Sequence, residues 1–153
     1  MNKLRSLLYG VVSVVMMFAG GNATADSVTN STVGAGGYDL VSYHTGEQPV
    51  SGSGRLLATV DGVNYLFSTQ ENLETFNADQ EKYLPQYGGY CAYGASVGKK
   101  FIGDPKVFSV VDGKLYLNLD KAVQNVWNKD IPGYIGTADV QWKSIESVPA
   151  SEL

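Results

Sequence analysis

Asp61-Gly62 and Asp112-Gly113 each stand between two short runs with alternating apolar residues. Leu56–Val60 and Val63–Phe67 flank the first, Val107–Val111 and Lys114–Leu119 the second. Two-residue Asp-Gly loops close tight hairpins, because both loop positions must take positive φ. The chain is thereby held to two antiparallel ladders. Ser68-Thr69-Gln70-Glu71 comes after the first ladder and reads as a capping box, with Leu73 and Phe76 on the inward face of a short helix. Asp79 can start another turn through Tyr83 and Leu84, which Pro85 stops. Ala122, Val123, Val126 and Trp127 recur at helical spacing after the second ladder. Ile131-Pro132-Gly133 breaks that helix, and Asp130 caps a final amphipathic segment carrying Tyr134, Ile135, Ala138, Trp142 and Ile145. Strand pairs alternating with helices predict an α+β fold, a small single domain with two antiparallel β-hairpins and several short helices. Tyr38 to His44 reads as a strand or extended edge. The two Asp-Gly hairpins lie about fifty residues apart, but the segments after them differ, so no repeat is expected from sequence.

Composition narrows the chemistry. The 153 residues suffice for one domain with a core. Eleven basic residues against fifteen acidic ones oppose a nucleic-acid grip. One histidine and one cysteine exclude a zincin helix, a Cys₂His₂ finger and a disulfide framework. No phosphate loop or GxGxxG turn occurs.

The N-terminus has its own logic. Lys3 and Arg5 precede an apolar run from Leu7 to Ala19, shorter than the ~20 residues that span a bilayer. Ala23-Thr24-Ala25 then offers an A-x-A cleavage site. Residues 1–25 are expected to be a signal peptide, 26–36 a flexible leader, 37–146 the domain and 147–153 a C-terminal tail. Cleavage would remove every methionine and leave Cys91 as an unpaired thiol in an oxidising compartment, periplasmic or secreted.

Few side chains remain that could carry a site. Cys91 comes after Gly88-Gly89 and reads as a soft-metal ligand, a redox thiol, a disulfide between chains or a buried small apolar residue. His44 is the single imidazole, a second metal ligand or a base for Cys91, or a residue at a strand end. Tyr83, Tyr87, Tyr90 and Tyr93 recur at spacings of four, three and three. The last three are candidates for holding a planar ligand, against core packing with hydroxyls at the rim. Lys99-Lys100 reads as a solvated pair, and no catalytic set is assigned.

The stretches Val63-Asn64-Tyr65-Leu66-Phe67-Ser68, Phe76-Asn77-Ala78-Asp79 and Lys82-Tyr83-Leu84 resemble the core of the YHS domain. The run from Leu84 to Gly94 resembles the exported subgroup of that family, as do Val111 to Asn118, Asp130 to Tyr134 and Gly37 to Tyr43. The resemblance implies a YHS-like fold and transition-metal binding. The family's metal-type members carry Cys-x-x-x-Cys after the hairpin, and those positions are Ser68 and Asn72 here. The expected function is an exported, non-enzymatic binding module handling a copper-type transition metal or a metal-containing ligand, with Cys91 and His44 as soft ligands. The alternatives are a metal-free structural or partner-docking domain and, third, a thiol enzyme on Cys91 and His44. The partner is a protein or small ligand of unknown identity, a homodimer is open, and no membrane span is expected after cleavage.

Overall fold

The computed structural model describes residues 30–46 and 48–153; the expected signal peptide and residues 26–29 of the leader lie outside them. Both Asp-Gly loops turn as their sequence requires. φ is 49° at Asp61, 78° at Gly62, 50° at Asp112 and 74° at Gly113. Around them the chain runs β1 (Thr32–Val33), β2 (Ser53–Val60), β3 (Val63–Phe67), α1 (Gln70–Ala78), α2 (Gln80–Tyr83) and α3 (Ala92–Ser96). It continues through β4 (Asp104–Val111), β5 (Lys114–Asn118), α4 (Lys121–Trp127) and α5 (Ile131–Ile145). One sheet has the order β1-β3-β2, with β1 parallel to β3; the other is the β4-β5 hairpin. The class is α+β, as the sequence predicts.

Several local expectations change, each for a physical reason. Tyr38 to His44 is not a strand. The Asp39 carboxylate accepts from the Val41 N–H at 2.9 Å, and the Asp39 carbonyl accepts from the Ser42 N–H. These bonds fold the segment into a 3₁₀ turn over Ser42–Thr45, ended by Gly46 at φ 83°. The leader is structured from Thr32, because β1 adds to the edge of β3. The cap of α1 is Thr69, whose hydroxyl accepts from the Asn72 N–H, so Ser68 is free for another partner. Ala92 and Ala95 face inward from α3, while Val97 lies beyond its end and is exposed. Lys100 is not merely solvated. Its ammonium donates to the carbonyls of Glu146 and Val148 at 2.8 and 2.7 Å, tying down the chain after α5.

The largest departure is that the domain is built twice. Residues 53, 57 and 67 of the first hairpin and 104, 108 and 118 of the second hold the same pairings, Ser53↔Phe67 beside Asp104↔Asn118 and Leu57↔Leu66 beside Phe108↔Leu117. Both hairpins are irregular at the same place. The capping residues Thr69 and Asp120 correspond, as do Asp79 and Asp130, whose backbones match at φ −155° in each. The buried pair Tyr65–Phe76, with rings tilted by 40°, returns as Tyr116–Trp127 at 40°. Upstream, Ala35-Gly36-Gly37-Tyr38 and Tyr87-Gly88-Gly89-Tyr90 form the same turn, with three consecutive positive φ values in each. The Asp39 N–H bonds the Val50 carbonyl and the Cys91 N–H bonds the Phe101 carbonyl, both at 2.8 Å. β1 lies parallel to β3 as Pro85 lies parallel to Leu115. Two core clusters form: one centred on Leu40, Phe67 and Phe76, which also takes in Leu115 and Leu117 of the second hairpin, and one on Ala95, Tyr116 and Trp127 within the second repeat.

Candidate functional site

The repeat makes Asp39 and Cys91 positional counterparts: each comes directly after Gly-Gly-Tyr and each is fully buried. Their surroundings differ completely. The Asp39 carboxylate accepts four hydrogen bonds. Val41 N–H reaches one oxygen, while the Ser68 N–H (2.9 Å), the Ser68 hydroxyl (2.6 Å) and the Asn72 amide (2.7 Å) converge on the other. Four accepted bonds use the accepting capacity of a carboxylate, which is how a buried ionisable group is tolerated. The two positions that the YHS resemblance marks for thiolates are therefore both donors to one internal acid. A hydroxyl and an amide so engaged do not fit a soft-metal pair.

Cys91 has sparser company. Its sulfur accepts from the Gly94 N–H at 3.4 Å and its thiol points to Asn118 Oδ1 at 3.8 Å. Asn118 is itself fully buried, and among the described residues its amide nitrogen finds no hydrogen-bond partner; nor does the indole nitrogen of Trp127. Leu119 and Val123 stand at the repeat positions of Ser68 and Asn72, so the second repeat brings no equivalent donors to Cys91.

His44 lies on the 3₁₀ turn of the first repeat, with its ring edge-on to Tyr83 at 5.1 Å. Burial, and next the nearby Lys82, holds its imidazole below the ordinary 6.5. No hydrogen bond joins it to Cys91; the partners of the thiol are Gly94 and Asn118. Among the described residues, no group of three or more His, Cys, Asp or Glu side chains is gathered as a metal centre requires.

The candidate tyrosines enter the second core. Tyr87 is buried, its hydroxyl donates to Asp139 at 2.8 Å, and its ring meets Tyr116 and Trp142. Burial, then that hydrogen bond, pushes its phenol well above the usual 10.0. Tyr93 packs edge-on against Tyr134 at 5.2 Å. Tyr90 is different, because its ring is half-buried against Trp142, with Lys100 above it, and its other side lines a cleft.

That cleft, of about 320 Å³, lies where the two glycine turns face each other. Val33, Ala35 and Gly36 come from the first repeat, and Gly88, Gly89, Tyr90 and Ile102 from the second. Its walls are mainly apolar and uncharged. Ile102 at its edge is 73% exposed and Val33 44%. Ala35 at φ 47° and Tyr87 at φ 55° are non-glycine residues in the left-handed region. Such strain persists only where the surroundings enforce it, and it clusters at working sites. A larger groove of about 530 Å³ runs between Val111 and Ile131, Pro132 and Ile135, but it is open and belongs to the second repeat alone.

Sequence reasoning finds Tyr90 and misses the rest of the cleft, together with Asp39, Asn72 as its donor, and Asn118. The available signal was Gly-Gly-Tyr at residues 36–38 and again at 88–90. Comparison with known proteins adds nothing to this geometry: no family model, no curated protein and no solved structure matches the chain. No helix among the described residues is long and apolar enough to cross a membrane.

Proposed function

We propose that this chain is a non-enzymatic binding module of the exported YHS type that holds an uncharged, largely apolar group in the cleft between its repeats. The observation that carries this reading is the Asp39 pocket. The positions that would give the domain a thiolate pair donate instead to an internal carboxylate. That supports a role in cohesion over one in metal binding. What is left for recognition is the concave surface where both strained turns meet, with a size and apolar character suited to a small ligand or an inserted side chain. Cys91 and Asn118 are buried beneath this surface chemistry and contribute no group to it.

The test is a titration with p-cresol, an uncharged aromatic probe, tracked by amide NMR. Gly36, Gly88 and Gly89 are expected to shift together, and Ile102→Glu, an exposed substitution, should abolish the response. Shifts confined to the groove beside Ile135, or none at millimolar probe, would refute the cleft assignment. Stoichiometric metal that survives dialysis against a chelator and is lost on Cys91→Ala would restore the metal-handling reading.

A further inference from the structure

The two repeats treat their outer strand edges differently, and this difference points to a self-association surface. In a two-residue hairpin the residues beside the turn bond to each other, and alternate residues direct their N–H and C=O groups outward. In the second repeat, Phe108 and Val110 are the outward residues of β4. The Phe108 carbonyl is taken by the Gln124 amide at 2.8 Å, and nearby the Tyr43 hydroxyl takes the Pro105 carbonyl. Proline at 105 and lysine at 106 further blunt that edge. In the first repeat, Leu57 and Thr59 are the outward residues of β2. Leu73 stands where Gln124 would be, and it offers no donor. Among the described residues, nothing bonds the outer backbone groups of Leu57 and Thr59. The Leu57 side chain is 45% exposed beside them.

This edge is complementary to itself. Antiparallel pairing of two copies about Ala58 sets Leu57 opposite Thr59 of the second copy. Each of the two such pairs then exchanges both backbone hydrogen bonds. Beyond the paired residues, the same arrangement carries Arg55 toward the turn residue Asp61 of the other copy, and the two are exposed side chains of opposite charge. It also places the two Leu57 side chains diagonally across the seam. We infer that the chain dimerises through the β2 edge, joining two three-stranded sheets into one of six strands.

The experiment is sedimentation velocity of the purified protein from micromolar to millimolar concentration. A concentration-dependent dimer is expected, weakened by salt because Arg55 and Asp61 approach each other across it. Thr59→Pro removes an outward N–H and spares the backbone bonds of the β2–β3 ladder, at the cost of the Thr59 hydroxyl's bond to Asn64 Oδ1, and should weaken association about tenfold or more. Val110→Pro, its counterpart on the blunted edge, should leave association unchanged. Leu57→Lys, at a half-exposed position, is the second variant should the proline perturb folding, and it should also favour the monomer. A protein monomeric at every concentration would overturn the inference. So would a dimer that persists in both Thr59→Pro and Leu57→Lys, since it would be formed elsewhere.

Discussion

The first repeat holds its buried polar position with an acid and four donors, whereas the second holds the same position with a thiol and almost none. The glycine turn before both is alike, but a 3₁₀ turn follows Asp39 where α3 follows Cys91, and the side chains around them differ. The contrast shows how a carboxylate is kept in a core. Ser68, just before the Thr69 cap of α1, and Asn72, in its first turn, close on the Asp39 oxygen that Val41 does not reach. In the second repeat Leu119 and Val123 occupy those places, and only a weakly polar sulfur is tolerated. The first repeat adds a fully hydrogen-bonded acid to the aromatic packing of Tyr65, Phe67 and Phe76, whereas the second relies on aromatic packing around Trp127.

The sharpest way to break this comparison is to exchange the two centres. Cys91→Asp buries a carboxylate with only the Gly94 N–H and the Asn118 amide near it, against four donors at Asp39, and should cost about 3–5 kcal/mol, or prevent folding. Adding Leu119→Ser and Val123→Asn, which copies the first repeat, should restore part of that loss in urea unfolding. Failure of the triple variant to recover anything would mean that the pockets are not equivalent. Asp39→Ala leaves the half-buried Ser68 and Asn72 donors and the Val41 N–H without their acceptor, and it should destabilise by about 2–3 kcal/mol. Cys91→Ala should cost less, about 1–2 kcal/mol, because only a small apolar volume and weak bonds are lost. An equal or larger loss at Cys91 would reverse the ranking of the two centres.

Smaller effects separate the aromatic core of the second repeat from the first. Tyr87→Phe removes one hydrogen bond to Asp139 and should cost about 1 kcal/mol, measured by thermal or urea unfolding. The phenols of Tyr87 and Tyr43 have raised pKa values in the folded state, in each case chiefly through burial. The folded protein therefore holds these protons more tightly than the unfolded chain. Stability is fully present below pH 10.0 and should fall as pH rises beyond it. In Tyr87→Phe that alkaline decline should be shallower.

The least effect is expected at His44. Its pKa is lowered by burial and by Lys82, so the unfolded chain binds the proton more readily than the folded one. The contribution is present above pH 6.5 and lost as pH falls from there through the folded value. His44→Gln should flatten that mild acid dependence, read as the change in urea midpoint between neutral and acidic buffer. An unchanged slope would locate the acid sensitivity elsewhere.

Elements governed by neighbours in sequence were legible from the sequence. The Asp-Gly turns needed positive φ at fixed positions, and both were found there. The apolar spacing of Phe76, Trp127 and Ala138 marked the buried faces of α1, α4 and α5. Asp130 capped α5 by a bond to the Gly133 N–H, three residues on. The candidate site was much less legible. Asp39 is 29 residues from Ser68 and 33 from Asn72, and no periodicity joins them. The strand expected over Tyr38 to His44 failed because the Asp39 side chain bonded its own backbone, an option that apolar patterning does not register.

By itself, then, the sequence determined the α+β class, the two hairpins and the helices after each of them, since these depend on bonds closed within a few residues. The duplication was written there too, in Gly-Gly-Tyr and Asp-Gly repeated about fifty residues on, but the side chains between had diverged. Only the tertiary structure showed that a shared backbone persists beneath them. It alone decided that Ser68 and Asn72 serve an internal acid, that Cys91 is buried, and that the two glycine turns face each other across a cleft. The reason is physical: a buried charge must find donors wherever packing brings them, and packing joins residues that the chain itself keeps far apart.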